Sequence, residues 1–101
     1  MKRHTIQPAE GFNVLTTSAR SQMATMVLAV GESTGGPDNR HPDQDQWLYI
    51  LSGEGRAVVE GQTVDLAPGV LLLIETGEAH EIRCTGGAPL ETFSIYAPPA
   101  Y

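Results

Sequence analysis

Three histidines, His4, His41 and His80, are the side chains best equipped for chemistry in this 101-residue chain. An imidazole binds divalent metals and exchanges protons near neutral pH. His41 lies beside Pro42 in a polar run, His80 opens an apolar one, and His4 lies near the N-terminus, where a surface position is expected. Cys84 is the single cysteine, so no intrachain disulfide can form. With no evident neighbouring base, it is expected to serve as a small buried hydrophobe rather than a nucleophile. No Ser-His-Asp grouping and no phosphate-cradling glycine loop is present. Arg40 and Arg83 carry guanidinium forks that match a carboxylate, although solvated positions are the plainer expectation for both.

The elements that must position these residues are strands. Eleven glycines and seven prolines divide the chain into short pieces. No window keeps a helical period over helix length, and runs rich in Val, Ile, Leu, Thr and Tyr alternate with turn residues. The pattern predicts strands over Phe12–Thr17, Met23–Val30, Trp47–Leu51, Arg56–Val59, Gln62–Leu66, Val70–Glu75, His80–Cys84 and Glu91–Tyr96. Glu60-Gly61 suits a tight hairpin and Pro68-Gly69 a type II turn, because glycine accepts the positive φ each requires. Gly86-Gly87 marks a further reversal. Residues 31–45 form a long polar loop, and long loops in small domains often carry function. Many short strands of this kind make an all-β sandwich or barrel, in one domain spanning residues 1–101.

The stretch Gly69–Cys84 resembles the second motif of the cupin family, G-x5-P-x-G-x2-H-x3-N. Gly69, Gly77 and His80 occupy motif positions, while Glu75 replaces the proline and Cys84 the asparagine. Fifteen residues separate Gly53 from Gly69, as in the family's smaller members. The first motif, G-x5-H-x-H-x3–4-E-x6-G, maps onto residues 35–53 in two registers. Anchored on Gly53, it places the glutamate at Gln46, the second histidine at His41, the first at Asn39 and the leading glycine at Ser33. Anchored on Gly35, it places the histidines at His41 and Asp43, with only two residues left before Gln46. The first register is preferred, because loop length before a motif varies more readily than spacing among ligands.

The resemblance implies a jelly-roll barrel whose motif side chains hold one divalent transition-metal ion, Mn, Fe, Zn or Ni. His41 and His80 would be imidazole ligands, with Asn39 and Gln46 as amide-oxygen candidates. Glutamine in place of glutamate removes a negative charge from the shell and weakens cation binding, unless Asp43 or Asp45 folds inward to restore it. A metal-dependent enzyme of dioxygenase, isomerase or decarboxylase type follows on this view. The alternative is a non-catalytic, metal-free cupin that binds or senses a small molecule. A structural partner subunit is a third option.

Charge and composition restrict the partners. Net charge is −6, from twelve acidic and six basic residues, and the arginines are scattered. Nucleic acid and anionic membrane surfaces are therefore not expected partners. The N-terminus lacks a signal-type apolar run and the longest apolar stretch, Val70 to Ile74, cannot span a bilayer, so a cytoplasmic location is expected. That stretch is apolar at every position, as is the run Trp47-Leu48-Tyr49-Ile50-Leu51. Strands of this kind are covered on both faces, one by the core and the other, in so small a domain, by a partner subunit. A homodimer is expected, together with a small-molecule ligand. Met23 and Met26 read as core filler, and residues 97–101 as an extended tail over the barrel without assigned chemistry.

Overall fold

A computed structural model describes residues 1–36 and 39–101; Pro37 and Asp38, within the polar loop and first motif, lie outside the described residues. Eight strands follow in chain order: β1 (Gly11–Thr17), β2 (Gln22–Leu28), β3 (Asp45–Ser52), β4 (Gly55–Val59), β5 (Gln62–Leu66), β6 (Leu71–Ile74), β7 (His80–Cys84) and β8 (Leu90–Ala97). They form two antiparallel sheets, ordered β1-β2-β8-β3-β6 and β5-β4-β7. The all-β expectation and every predicted strand are met. β5 and β7 keep their predicted ends and the others move by at most two residues, the largest shifts being the end of β2 at Leu28 and the start of β3 at Asp45. No helix among the described residues is long and apolar enough to cross a membrane.

Turn chemistry accounts for the tight connections. Between β4 and β5, Glu60 (φ 46°) and Gly61 (φ 78°) both take left-handed conformations, the type I′ pairing that matches strand twist. After β3, Gly53 has φ 85°, and a Cβ there would collide with the Pro89 carbonyl oxygen. Only glycine lets the connection leaving β3 approach the one entering β8 this closely.

Leu48, Ile50, Leu66, Ile74, Ile82, Cys84 and Leu90 fill the space between the sheets, each at most 2% exposed. Cys84 is buried as expected, with its thiol 3.2 Å from the Ala88 carbonyl oxygen. On β3 the period of two puts Leu48 and Ile50 inside and turns Trp47 and Tyr49 outward. On β8 the usual polarity is reversed. Thr92, Ser94 and Tyr96 point inward and are buried, whereas Phe93 and Ile95 face outward. A strand with a polar inner face and an apolar outer face has a polar chamber on one side and an uncovered apolar surface on the other.

The polar loop is not a free excursion. Its backbone runs antiparallel beside β7, through hydrogen bonds Cys84 N–Glu32 O (2.9 Å), Thr34 N–Ile82 O (2.9 Å), His80 N–Asn39 O (2.8 Å) and Gly77 N–His41 O (2.9 Å). An isolated bridge pairs Ser33 with Arg83. The loop thus extends the smaller sheet, satisfying the edge of β7 that would otherwise be open.

Candidate functional site

A cavity of about 310 Å³ opens at one end of the barrel, and His41, His80, Gln46 and Asn39 all line it. Three separate devices bring them together. Gln46 reaches the cavity from β3, where it pairs with Tyr96, and Tyr96 pairs on its other side with Gln22 of β2. All three side chains belong to one inward row of the larger sheet. His80 comes from the opposite sheet as the first residue of β7. His41 arrives on the loop, held in place by the pairing of the loop backbone with β7 and the turn before it. The two imidazole centroids lie 5.4 Å apart, with their planes inclined by 27°.

Hydrogen bonding fixes what each group offers. His80 is 3% exposed, and its Nδ1 lies 3.1 Å from the Glu78 carbonyl oxygen. A carbonyl only accepts, so Nδ1 is the donor, and in the neutral ring the lone pair lies on Nε2. Gln46 donates through Nε2 to Ser94 Oγ at 3.0 Å, which orients the amide. Its Oε1 is buried and has no hydrogen-bond partner among the described residues. Such an acceptor is costly to leave unpaired and calls for a cation or a donor. His41 is half-buried; burial and the neighbouring His80 both push its pKa below 6.5. It is therefore neutral at pH 7, with a lone pair available. Burial, followed by the nearby Tyr101, raises the Tyr96 pKa well above its usual value, so the phenol stays protonated.

Of the four residues singled out from the motifs, His41, His80 and Gln46 converge, and Asn39 lies at the exposed edge of the same cavity. Asp43 and Asp45, which would restore the missing charge only by folding inward, do not join them. Asp45 Oδ1 accepts from Thr76 N and Thr76 Oγ1, both at 3.0 Å, and so braces the turn before β7; Asp43 is exposed. Among the described residues, no three His, Cys, Asp or Glu side chains gather into a metal-holding group. Neither arginine lines the cavity: Arg83 points out of β7 toward Glu81, 3.7 Å away, and Arg40 is exposed. Met26 packs against the core as expected and also lines the cavity, as do Phe12, Tyr96 and Tyr101. Tyr96 was legible in principle from the alternation Thr92, Ser94, Tyr96. Phe12 and Tyr101 carry no local signal, because only the assembled barrel brings the two chain ends to the mouth.

Two facing antiparallel sheets with paired histidines and an amide at an interior cavity define a barrel of the cupin class. The family model described as "Cupin domain" matches residues 24–96, and the chain belongs to the cupin family. It is similar to the uncharacterized protein YrkC of Bacillus subtilis, with 34% identity over 92 residues, 84% of this chain and 48% of that protein. It also matches an oxalate-binding protein of Thermotoga maritima, 33% identical over 72 residues, 71% of this chain and 58% of the relative. The chain thus spans about half the length of these curated relatives. Among solved structures, BH2720 from Bacillus halodurans superposes with a TM-score of 0.86 at 31% identity, covering 91% of this chain and 73% of that one.

Proposed function

We propose that this cupin binds a small organic molecule in the barrel cavity, together with a divalent transition-metal ion held by His41, His80 and Gln46, with Asn39 at the edge. The observation that carries this reading is the buried, unpartnered Gln46 Oε1 beside two imidazoles with free lone pairs. Two nitrogen donors and one amide oxygen fit Mn, Fe, Zn or Ni. When bound, such an ion supplies Lewis acidity and open positions for a ligand. The chain's own contributions are plain. The Glu78 carbonyl holds the His80 ring, Ser94 aims the Gln46 amide, and Tyr96 remains a protonated donor. Because all the donors are neutral, affinity is expected to be modest, and the ion keeps its full charge for the organic ligand. The name of the Thermotoga maritima relative, an oxalate-binding protein, is compatible with a small oxygen-rich ligand of this kind, acted on or simply bound.

Thermal denaturation tests this. Zinc about 100-fold above Kd is expected to raise the melting temperature by on the order of 10 °C, and EDTA to abolish the gain. No response to zinc, with stabilisation by phenols, sugars or organic acids in EDTA, would leave the metal-free reading. One feature favours that second reading: among the described residues, no Asp, Glu or Cys gathers with the two imidazoles into a metal-holding group, and Glu32, which lines the cavity, has its Oε1 accepting from Ala29 N at 2.7 Å. The same acceptors would then receive hydroxyl or amine donors of the ligand.

A homodimer is proposed on separate grounds. The outer face of the larger sheet presents Met23, Ile95, Trp47 and Leu73 in one register row, with Phe93, Tyr49 and Leu71 in the next. Trp47 is 41% exposed and Leu71 56%. A continuous apolar face of this kind suits a self-complementary contact with a second copy. Light scattering at micromolar concentration is expected to give twice the chain mass; a monomer would remove the proposal.

A further inference from the structure

Residues 98–101 are more than a covering tail. Gln22, only 3% exposed at the start of β2, spends three of its four amide hydrogen bonds on holding them. Its Oε1 accepts from Ala100 N (3.1 Å) and Tyr101 N (2.8 Å), and its Nε2 donates to the Tyr101 carbonyl oxygen (2.7 Å) and to Thr17 Oγ1 (2.9 Å). A second clamp is the amide of Gln44, which donates to the Pro99 carbonyl oxygen at 3.2 Å. Held this way, the Tyr101 ring lies 4.7 Å from Phe12, 5.3 Å from Tyr96 and 5.7 Å from His41, centroid to centroid, and lines the cavity. It is nevertheless 62% exposed, so much of its surface is still uncovered. Three hydrogen bonds from a buried amide and one from Gln44 thus fix the backbone beneath a ring that still faces the cavity mouth.

We propose that Tyr101 is a specificity-determining residue, an aromatic wall positioned by Gln22 that selects ligands bearing a flat ring. The proposal rests on the reading of the cavity given above. A ligand that places oxygen donors at His41, His80 and Gln46 projects its remaining atoms toward the mouth. There it meets Phe12 and Tyr101, whose faces reward an aromatic ring and offer little to a methyl group. Among the described lining residues there is no lysine or arginine, so an anionic tail gains no ion pair in their place.

Two probes that each chelate through a pair of oxygens in a five-membered ring separate ring recognition from chelation: catechol, which has an aromatic ring, and acetohydroxamate, which has none. Calorimetric titration into the zinc-loaded protein gives both affinities. Tyr101→Ala is expected to weaken catechol about tenfold and to leave acetohydroxamate within about twofold. Tyr101→Phe should retain catechol affinity, and Gln22→Ala, by releasing the segment, should reproduce the selective loss. Equal effects of Tyr101→Ala on both probes, or none on either, would overturn the role of Tyr101 while leaving the cavity reading intact. Failure of the unsubstituted protein to bind either probe would instead overturn the cavity reading and this inference with it. Melting temperatures of the variants show whether any loss of binding reflects loss of fold.

Discussion

Alanine at position 80 is expected to weaken zinc binding more than about 100-fold, the largest effect of any single substitution in the site. Replacing groups that merely orient a metal ligand typically costs 10- to 100-fold, and His80→Ala removes a ligand outright. Of the proposed ligands, His80 is also the one whose geometry is most firmly set. It starts a strand, is 3% exposed, and has its Nδ1 proton committed to the Glu78 carbonyl, so Nε2 alone faces the cavity. Neither remaining donor is anionic, and an imidazole from the loop plus an amide oxygen is a poor two-point site. Calorimetric zinc titration, with the melting temperature of the apo variant as a control for folding, checks this. Affinity within about threefold of the unsubstituted protein would contradict it.

The second large effect concerns the barrel itself. Leu48→Ala is expected to destabilise the fold by about 3 kcal/mol, within the range for leucine truncations in a tight core. Leu48 is completely buried and sits opposite Leu72 on one side and Ser94 on the other, between the two strands that flank β3. No neighbour can fill the space without leaving its own register. For a domain of this size the loss corresponds to a fall in melting temperature on the order of 15 °C. A fall of less than about 4 °C would mean that the core relaxes around the missing side chain. Because Leu48 does not line the cavity, residual zinc binding by the folded fraction should be unchanged.

The fold was legible because its determinants are local. Strand alternation, the Glu60-Gly61 hairpin and the Pro68-Gly69 turn are each read within a few residues, and so is the Gly69–Cys84 motif. Two site residues, His80 and Gln46, were legible because each lies on a regular strand at a definite distance from a turn glycine. The environment of His41 was not, because the loop owes its path to backbone pairing with β7, and backbone groups carry no residue signature. The same limit misdirected the search for a carboxylate. Nothing near Asp45 in sequence shows that its side chain is committed to Thr76, thirty-one positions away. Tyr101 was missed for the most general reason. Its partners Phe12, Gln22, His41 and Tyr96 come from four different segments, and only the closed barrel makes them neighbours. The reversed polarity of β8 was visible as alternation, but alternation does not say which face is inside.

The central claim is that His41, His80 and Gln46 together hold a metal ion. It is tested most directly by the metal content of protein purified without affinity tag or chelator, measured by mass spectrometry beside a His41→Ala/His80→Ala double variant. Near-stoichiometric transition metal in the first and none in the second is the predicted result. Absence of metal from both, even after dialysis against Mn, Fe, Zn and Ni, would contradict the claim and leave a barrel that binds its ligand through hydrogen bonds and shape alone.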